Sequence, residues 1–324
     1  MRQRSEKRLT SGEKRRRYLK WGRIAVTLAA VGYLASRVDP ANVVAAFRQL
    51  SFSAALSAIA VVSFGLACGM VRWHFLLRAY GAIDLPPWRR IAHLYFVGHF
   101  YNTYAPGGMG GDVIRGVAGR KAFGDLDWVS ATSGVAVVFI ERVIGVSALL
   151  VLAAAFYLIE PIPGMESVGL WAILGLLGAA AALFGIALAP KLAPHLPEKI
   201  GKPLRALPRL YSAWPFIVSL LLSLVIHGAN IVAGHAIMHS LAPSVTLAQS
   251  AVVMPLIGAS AFFPLTVGGA GVREAAFAAL YGIVGVPEAT AYAGSLAFWA
   301  TQLITAGVGG IMNLVVPLSG PEGD

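Results

Sequence analysis

Two glycine-rich segments contain the residue types best suited to binding an anion. The first reads Pro-Gly-Gly-Met-Gly-Gly-Asp-Val-Ile-Arg over 106–115, and the second reads Pro-Leu-Thr-Val-Gly-Gly-Ala-Gly-Val-Arg over 264–273. Both fit the pattern Pro-x-x-(Met/Val)-Gly-Gly-x-x-(Ile/Val)-Arg without a gap, about half the chain apart. A Gly-Gly pair lets the backbone turn tightly and point several N–H groups into one space. The two segments therefore predict a pair of related anion-binding turns.

The residues after each turn extend this chemistry. A helix is predicted to begin at about Asp112 and at about Gly271, and helix N-termini attract anions. Arg115 and Arg273 fall in the first helical turns, and the planar guanidinium fork suits phosphate. We therefore predict a binding site for an anionic lipid head group near the middle of a membrane, in which Asp112 and Glu274 help to hold the arginines. Its residues are Gly110, Gly111, Asp112, Arg115, Gly268, Gly269, Arg273 and Glu274.

A structural alternative stays open for the same residues. Gly-Gly pairs let helices approach closely in any membrane protein. Asp112 and Arg115 are spaced i, i+3 and can pair with each other on one helix. Arg115 also suits an anchor at the membrane surface.

Other charged residues occur inside apolar segments. Glu141 and Arg142 lie within the apolar segment 129–158, where ionisable groups are costly and usually face a partner or a cavity. Neighbouring residues on a helix point about 100° apart, so these two are not expected to pair with each other. We predict that Glu141, Arg142 and Asn102 buttress the site, one of the charged pair holding a turn arginine and the other holding a turn carboxylate or the ligand. Arg72, near the end of segment 53–79, is interpreted as a snorkelling residue.

Metal binding and catalysis find little support in the sequence. His227, His235 and His239 share segment 214–240 without an acidic or cysteine companion, which favours polar helix packing over a metal site. The single cysteine, Cys68, excludes an internal disulfide and a zinc framework. No Ser-His-Asp arrangement, nucleotide loop or dinucleotide fingerprint is present. We expect no catalytic residues, no metal, no cofactor and no enzymatic activity.

The composition fixes the environment of these segments. Hydrophobic residues make up 57% of the 324 residues, charged residues 13%, and the mean hydropathy is +0.71. Soluble domains carry about 25% charged residues, so lipid must be the main solvent. Long apolar runs without period-2 alternation predict an all-α, polytopic membrane protein. The predicted full spans are 22–38, 53–79, 129–158, 168–189, 214–240 and 289–317.

Charge distribution gives an orientation. The net charge is +11, and the cations are concentrated in the tail 1–23, which is expected to lie on anionic lipid in the cytoplasm rather than on nucleic acid. The segment 190–213 is rich in Lys and Arg, whereas 159–167 has two Glu and no cation. The positive-inside rule then favours a re-entrant hairpin over 89–123, which enters and leaves at the cytoplasmic side, over a full crossing. The segment 247–286 becomes a second re-entrant hairpin, inserted from outside.

These assignments define the domain organisation. We expect one transmembrane domain over 24–317, made of inverted repeat halves at 24–158 and 159–317, with a short tail at 318–324. Inverted repeats with broken helices that meet near mid-depth are typical of transporters.

Three motifs resemble the lysylphosphatidylglycerol synthase transmembrane-region family. The segment 101–112 resembles its Asn-x-x-x-Pro-Gly-rich motif, and Glu141-Arg142 resembles its Glu/Asp-Arg motif. The segment 264–274 resembles its Pro-x-x-x-Gly-Gly-x-Gly-x-Arg-Glu motif, and the likeness extends over about 20–317. In fused members this region resembles a flippase half that moves an aminoacylated phospholipid to the outer leaflet. No soluble domain flanks it here, so we expect a stand-alone member without aminoacyl transfer.

The resemblance and the turn chemistry together predict a function. We expect a lipid translocase in the cell membrane, with a cytoplasmic N-terminus, that moves an anionic phospholipid or polyprenyl-phosphate-type lipid. The expected partner is a membrane lipid with an anionic head group, and nucleic acid is not expected. One alternative is a membrane scaffold for a lipid- or glycan-modifying enzyme. A lipid-modifying enzyme is the less favoured alternative.

Overall fold

The structure, a computed structural model, describes residues 40–104, 108–124, 133–199, 201, 209–260 and 271–316. Within these ranges the regular structure is entirely helical, with ten α-helices and two 3-10 segments, Lys121–Phe123 and Ala193–His195. The α-helices are α1 (Pro40–Phe47), α2 (Phe52–Ala79), α3 (Trp88–Tyr104), α4 (Gly110–Arg120), α5 (Ser133–Ile159), α6 (Glu166–Leu192), α7 (Ala213–Leu241), α8 (Leu247–Ser260), α9 (Val272–Ile283) and α10 (Glu288–Val315).

Five of these helices can cross a membrane. Among the described residues, α2, α5, α6, α7 and α10 are long and apolar enough, and each exceeds the roughly 20 residues that a crossing needs. They agree with five of the six predicted spans, and the predicted span 22–38 lies outside the described residues. The all-α, multi-pass membrane fold is therefore confirmed. The two broken stretches form shorter helices, α3 with α4 and α8 with α9, as their internal Pro and Gly residues predicted.

One end of the bundle is defined by backbone hydrogen bonds between distant segments. The amides of Ile83 and Asp84, before α3, both donate to the carbonyl of Ala122, after α4, at 3.0 Å. The amide of Tyr211, before α7, donates to the carbonyl of Ala79 at the end of α2 at 2.8 Å. The α3–α4 hairpin therefore begins and ends at this end of the bundle, which we call the first face.

The opposite end, the second face, brings together the other connections. Tyr281 near the end of α9 donates to Ser250 near the start of α8 at 3.3 Å, so this hairpin also begins and ends at one face. Met165, Val245 and Val286 pack into the same buried cluster. Described Lys, Arg, Asp and Glu residues at the second face are Arg48, Glu160, Glu166 and Glu288. Described Lys and Arg at the first face are Arg78, Arg89, Arg90, Arg120, Lys121, Lys191, Lys199 and Arg209.

Glycines set how closely the first hairpin packs. A Cβ added at Gly111 would lie 1.7 Å from the carbonyl oxygen of Gly98, so α3 and α4 cross backbone against backbone. A Cβ added at Gly134 would lie 2.1 Å from the carbonyl oxygen of Gly116, which brings α5 equally close to α4. Small residues at helix contacts let two backbones approach this closely. The short helix α4 is thereby fixed between its neighbours.

Helix α10 contacts one end of each hairpin. The hydroxyl of Tyr104, the last residue of α3, donates to the carbonyl of Leu303 at 3.0 Å, near the middle of α10. At the start of α9, Arg273 donates through Nε to Ser295 of α10 at 3.2 Å. The inner ends of both broken stretches therefore lie beside one spanning helix.

Candidate functional site

Five charged side chains form one cluster where α2, α4 and α5 meet, and all of them except the partly exposed Arg142 are buried. We call Arg72, Asp112, Arg115, Glu141 and Arg142 the charge cluster. Glu141 is 2% exposed and accepts from two arginines, with Oε1 at 2.8 Å from Arg72 Nη2 and Oε2 at 2.7 Å from Arg115 Nη1. Each carboxylate oxygen thus has its own guanidinium, which compensates for burying the charges. One carboxylate thereby ties the first hairpin to two spanning helices.

Asp112 occupies the other side of the same cluster. Its Oδ1 accepts from Arg115 Nη2 at 2.8 Å and from Asn102 Nδ2 at 2.8 Å. Its backbone amide donates to Asn102 Oδ1 at 3.2 Å, so Asn102 holds the start of α4 through two hydrogen bonds. Arg142 bonds Asp112 Oδ2 and also donates to the carbonyl of Gly108 at 2.9 Å. Glu141 therefore contacts a hairpin arginine, and Arg142 contacts the hairpin carboxylate.

Arg115 is enclosed as well as paired. Its guanidinium carbon lies 4.9 Å from the ring centroid of Tyr95 and 5.6 Å from that of Trp73, and the residue is 6% exposed. Cation–π contacts of this kind stabilise a desolvated arginine. The cluster holds three cations and two carboxylates, so most of its positive charge is neutralised internally. Arg115 is better placed to fix the hairpin than to bind a mobile anion.

Arg72 is a member of this cluster that the sequence interpretation missed. The snorkelling interpretation is wrong, because Arg72 is 8% exposed and bonds both Glu141 and the hydroxyl of Ser223 on α7, at 3.0 Å. The sequence did contain a pattern that indicates a buried position for Arg72. Gly65, Gly69 and Arg72 share one stripe of α2, and small residues at helical spacing mark a face that packs against another helix.

The second hairpin has a separate arrangement around Arg273. Glu274 accepts from the backbone amide of Gly271 at 2.6 Å, which caps α9, and Glu274 also bonds the Arg273 side chain. Gly271 has a φ of 86°, a conformation that glycine adopts without strain. The Arg273 guanidinium lies 5.2 Å from the ring centroid of Trp299. Gly268 and Gly269 of the predicted site lie outside the described residues.

A cavity of about 240 Å³ lies beside Arg273. Its polar lining consists of His227, Asn230, Arg273 and Gln302, and the rest of its described lining is apolar, from α5, α7, α8 and α10. About 10–15 Å³ of such volume suffices for one water molecule, so the cavity has room for a small head group. Amphipathic lining of this type is common in ligand sites.

The cavity and the charge cluster are neighbours along α7. His227 lines the cavity one helical turn after Ser223, which bonds Arg72. Residues at i and i+4 share a helix face. The cluster therefore lies next to the His227 side of the cavity.

The structure separates the two arginines that the sequence analysis combined. Arg273 lines the cavity, whereas Arg115 is absent from its described lining and bonds Glu141 and Asp112 instead. Gly111 serves the α3–α4 crossing, which fits the packing alternative at that position. Gly110 is the first residue of α4. The Arg273 side and the Arg115 side are thus distinct parts of the protein.

The other two histidines of α7 are engaged in packing contacts. His235 Nδ1 lies 3.2 Å from the Ser250 hydroxyl, and His239 Nδ1 lies 3.0 Å from the carbonyl oxygen of Val245. Among the described residues, no group of three or more His, Cys, Asp or Glu side chains is arranged to hold a metal ion.

Comparison with known proteins adds one finding. A family model described as the lysylphosphatidylglycerol synthase TM region matches residues 20–310, which includes both hairpins, the charge cluster and the cavity. A comparison with curated proteins found no match.

Proposed function

The chain belongs to the lysylphosphatidylglycerol synthase TM-region family, and from that premise we propose that it is a lipid translocase. Its cargo in this proposal is a lipid with an anionic head group, either a phospholipid or a polyprenyl-phosphate-type lipid. Translocation between leaflets requires no covalent step, so the proposed function is not enzymatic. The observation that carries the proposal is a mostly apolar cavity with a few polar side chains, one of them an arginine, inside a membrane-spanning bundle.

The position of Arg273 is the first support. An ionisable group within a membrane bundle is expensive and marks a substrate path or a partner. Two donor groups of Arg273 are engaged by Ser295 and Glu274, while Nη1 makes no hydrogen bond to any described residue. A guanidinium nitrogen that is held in place but retains donor capacity suits a phosphate oxygen.

The two hairpins supply the second support. Each begins and ends at one face, and both meet α10 at their inner ends. We propose that they are re-entrant hairpins inserted from opposite sides, with the cation-rich first face in the cytoplasm of the cell membrane, as the positive-inside rule requires. The N-terminus is then cytoplasmic. Non-spanning helices at membrane depth are tolerated where they line a protein cavity.

The charge cluster has a different role in this proposal. Its ion pairs join α4 to α2 and α5, and Asn102 of α3 bonds Asp112, so the cluster anchors α4 rigidly between α3 and α5. Movement of the α8–α9 hairpin past this fixed part would open the cavity first toward one face and then toward the other. Rocking of one repeat against another is the usual basis of alternating access.

Reconstitution tests the proposal directly. The protein is placed in liposomes that contain a trace of fluorescent short-chain phosphatidylglycerol, and dithionite is added to quench the outer leaflet. We expect wild-type protein to expose the inner-leaflet fluorophore to quenching, and Arg273→Gln to lose most of this activity. Arg78→Gln, which removes an exposed cation of α2, should retain it.

The scaffold alternative predicts another outcome. A folded, inserted protein that leaves the inner leaflet protected for every anionic lipid tried would contradict translocation. Its function would then be to hold a lipid- or glycan-modifying enzyme at the membrane.

A further inference from the structure

The charges and hydrogen-bonding groups of the cavity's polar side chains indicate which lipid head groups it can bind. One of these side chains is a cation, Arg273, one is an imidazole, His227, and two are carboxamides, Asn230 and Gln302. No carboxylate is among the described residues that line the cavity. An ammonium group entering this space would meet the Arg273 cation and no described negative partner.

The carboxylate that bonds Arg273, Glu274, is already committed to other partners. Glu274 Oε2 accepts from the Gly271 amide at 2.6 Å, and its Oε1 accepts from Arg273 and, at 3.4 Å, from the Ser295 hydroxyl. The residue is 8% exposed. Turning Glu274 toward a bound amine would remove the cap of α9 and the partner of Arg273. It is therefore unsuited to selecting an amine.

The carboxamides retain capacity for hydroxyl groups. Asn230 Nδ2 donates to the carbonyl of Ile226 at 3.1 Å, which fixes the side chain and leaves its Oδ1 as an acceptor. The Gln302 carboxamide makes no hydrogen bond within the described part of the chain, and it offers both a donor and an acceptor. A hydroxyl group can use the Gln302 donor as well as the acceptor oxygens of both carboxamides, whereas an ammonium group can use only those uncharged oxygens, which do not neutralise its charge.

We infer that the cavity selects a phosphate joined to a hydroxyl-bearing group, such as glycerol or a sugar, and excludes head groups that carry an amine. The phosphate binds Arg273, and the hydroxyl groups bind Gln302 and Asn230. This inference rests on the proposed function in that the phosphate belongs to a membrane lipid. It separates the cargo of this chain from the aminoacylated lipid that the name of its family suggests.

Binding to purified protein in detergent tests the selectivity apart from transport. The probes are dihexanoyl phosphatidylglycerol, dihexanoyl phosphatidylethanolamine and glycerol 3-phosphate, titrated by calorimetry. We expect phosphatidylglycerol to bind at least about tenfold more tightly than phosphatidylethanolamine, because the amine loses charge-assisted partners and meets Arg273. Equal binding of the two lipids, or binding of neither, would overturn the inference.

A near-isosteric variant makes the test sharper. Gln302→Glu keeps the shape of the side chain and places a carboxylate in the cavity, so the ratio of the two affinities should shift toward phosphatidylethanolamine. Gln249→Glu is the matched control, since Gln249 lies at the start of α8 outside the cavity lining and should leave the ratio unchanged. An unchanged ratio in Gln302→Glu with an unaltered melting temperature would contradict the role of Gln302.

The remaining outcomes separate this inference from the proposed function. Glycerol 3-phosphate binding as tightly as the lipid would place the ligand in solution and overturn the lipid-linked form of the inference. A preference for phosphatidylglycerol in a protein that fails to translocate it would leave the inference intact and refute the function. Translocation without any binding preference among head groups would support the proposed function and overturn the inference.

Discussion

Glu141 of the spanning helix α5 and Arg115 of the short helix α4 form an ion pair of 2.7 Å. The pair is deeply buried, and the second oxygen of Glu141 bonds Arg72 on α2. Three helices therefore depend on one carboxylate. This arrangement makes the charge cluster a structural junction whose loss is predicted to affect folding before it affects transport.

The first prediction removes the charge of Glu141. In Glu141→Gln, two buried arginines lose their shared carboxylate, so we expect stability to fall by about 3–5 kcal/mol, as for other buried ion pairs that lose one partner. Thermal unfolding in detergent measures the effect. Glu160→Gln, at an exposed position just after α5, is the control and should be nearly neutral. Similar melting temperatures for both variants would contradict the junction.

The second prediction concerns the shape of the Arg72 side chain. A lysine at this position can approach Glu141 but cannot bond Ser223 at the same time, because it lacks the planar fork. We expect Arg72→Lys to lose about 1–3 kcal/mol. Arg78→Lys on the same helix is exposed and should change little. The melting temperatures of the two variants are compared with that of the wild type. Equal shifts in Arg72→Lys and Arg78→Lys would contradict the prediction.

The third prediction tests the close crossing of α3 and α4. A methyl group at Gly111 would collide with the Gly98 backbone, which cannot move aside as a side chain can. We expect Gly111→Ala to cost about 1–3 kcal/mol or more, since it overpacks the contact. Gly178→Ala in α6 meets nothing within 4 Å, so it should be neutral or stabilise by up to about 1 kcal/mol. A neutral Gly111→Ala would show that the helices do not cross so closely in the membrane.

The fourth prediction tests the proposed orientation. Single cysteines at Asp84, Lys199 and Pro163, all exposed, are introduced into a Cys68→Ala background. In intact cells, a membrane-impermeant thiol reagent should label the cysteine at 163 and leave those at 84 and 199 unlabelled until the membrane is opened. If the reagent labels the cysteines at 84 and 199 in intact cells, the orientation of the protein is the opposite of the one proposed. Labelling at only one of these two would show that they lie on opposite sides of the membrane.

Some of these relationships could be predicted from the sequence, and the reasons are local. Asp112 and Arg115 are one turn apart on one helix, and Glu141 lies within an apolar segment where a charge needs a partner. The spans of α2, α5, α6, α7 and α10 follow from apolar runs of sufficient length. Each of these inferences uses residues within a single segment, where helical periodicity fixes the geometry.

The features that were missed depend on contacts between segments. Arg72 was assigned to the membrane surface because its distance from the end of α2 permits snorkelling, and its partners Glu141 and Ser223 lie on other helices. The Gly98–Gly111 crossing joins two helices whose packing no repeat pattern reveals. The cavity combines Asn230, Arg273 and Gln302 from three helices. Composition and spacing do not encode such combinations, because they depend on how the bundle packs.

The last prediction separates the two arginines that the sequence analysis combined into one site. Arg115 is enclosed by carboxylates and aromatic rings, so we expect Arg115→Gln to lower stability far more than Arg273→Gln. Arg273 lines the cavity, so Arg273→Gln should weaken binding of dihexanoyl phosphatidylglycerol about tenfold or more, the value of one charged hydrogen bond. Calorimetry on folded protein measures binding, and thermal unfolding measures stability.

The double variant decides between one shared site and two separate ones. If the residues act independently, their effects on binding free energy should add within about 0.3–0.5 kcal/mol. Two arginines that bind the same phosphate would instead give a double variant little worse than the more damaging single variant. The structure predicts additivity, with almost all of the binding loss coming from Arg273 and almost all of the stability loss from Arg115. A sub-additive binding loss, with both single variants stable, would restore the shared site that the sequence first suggested.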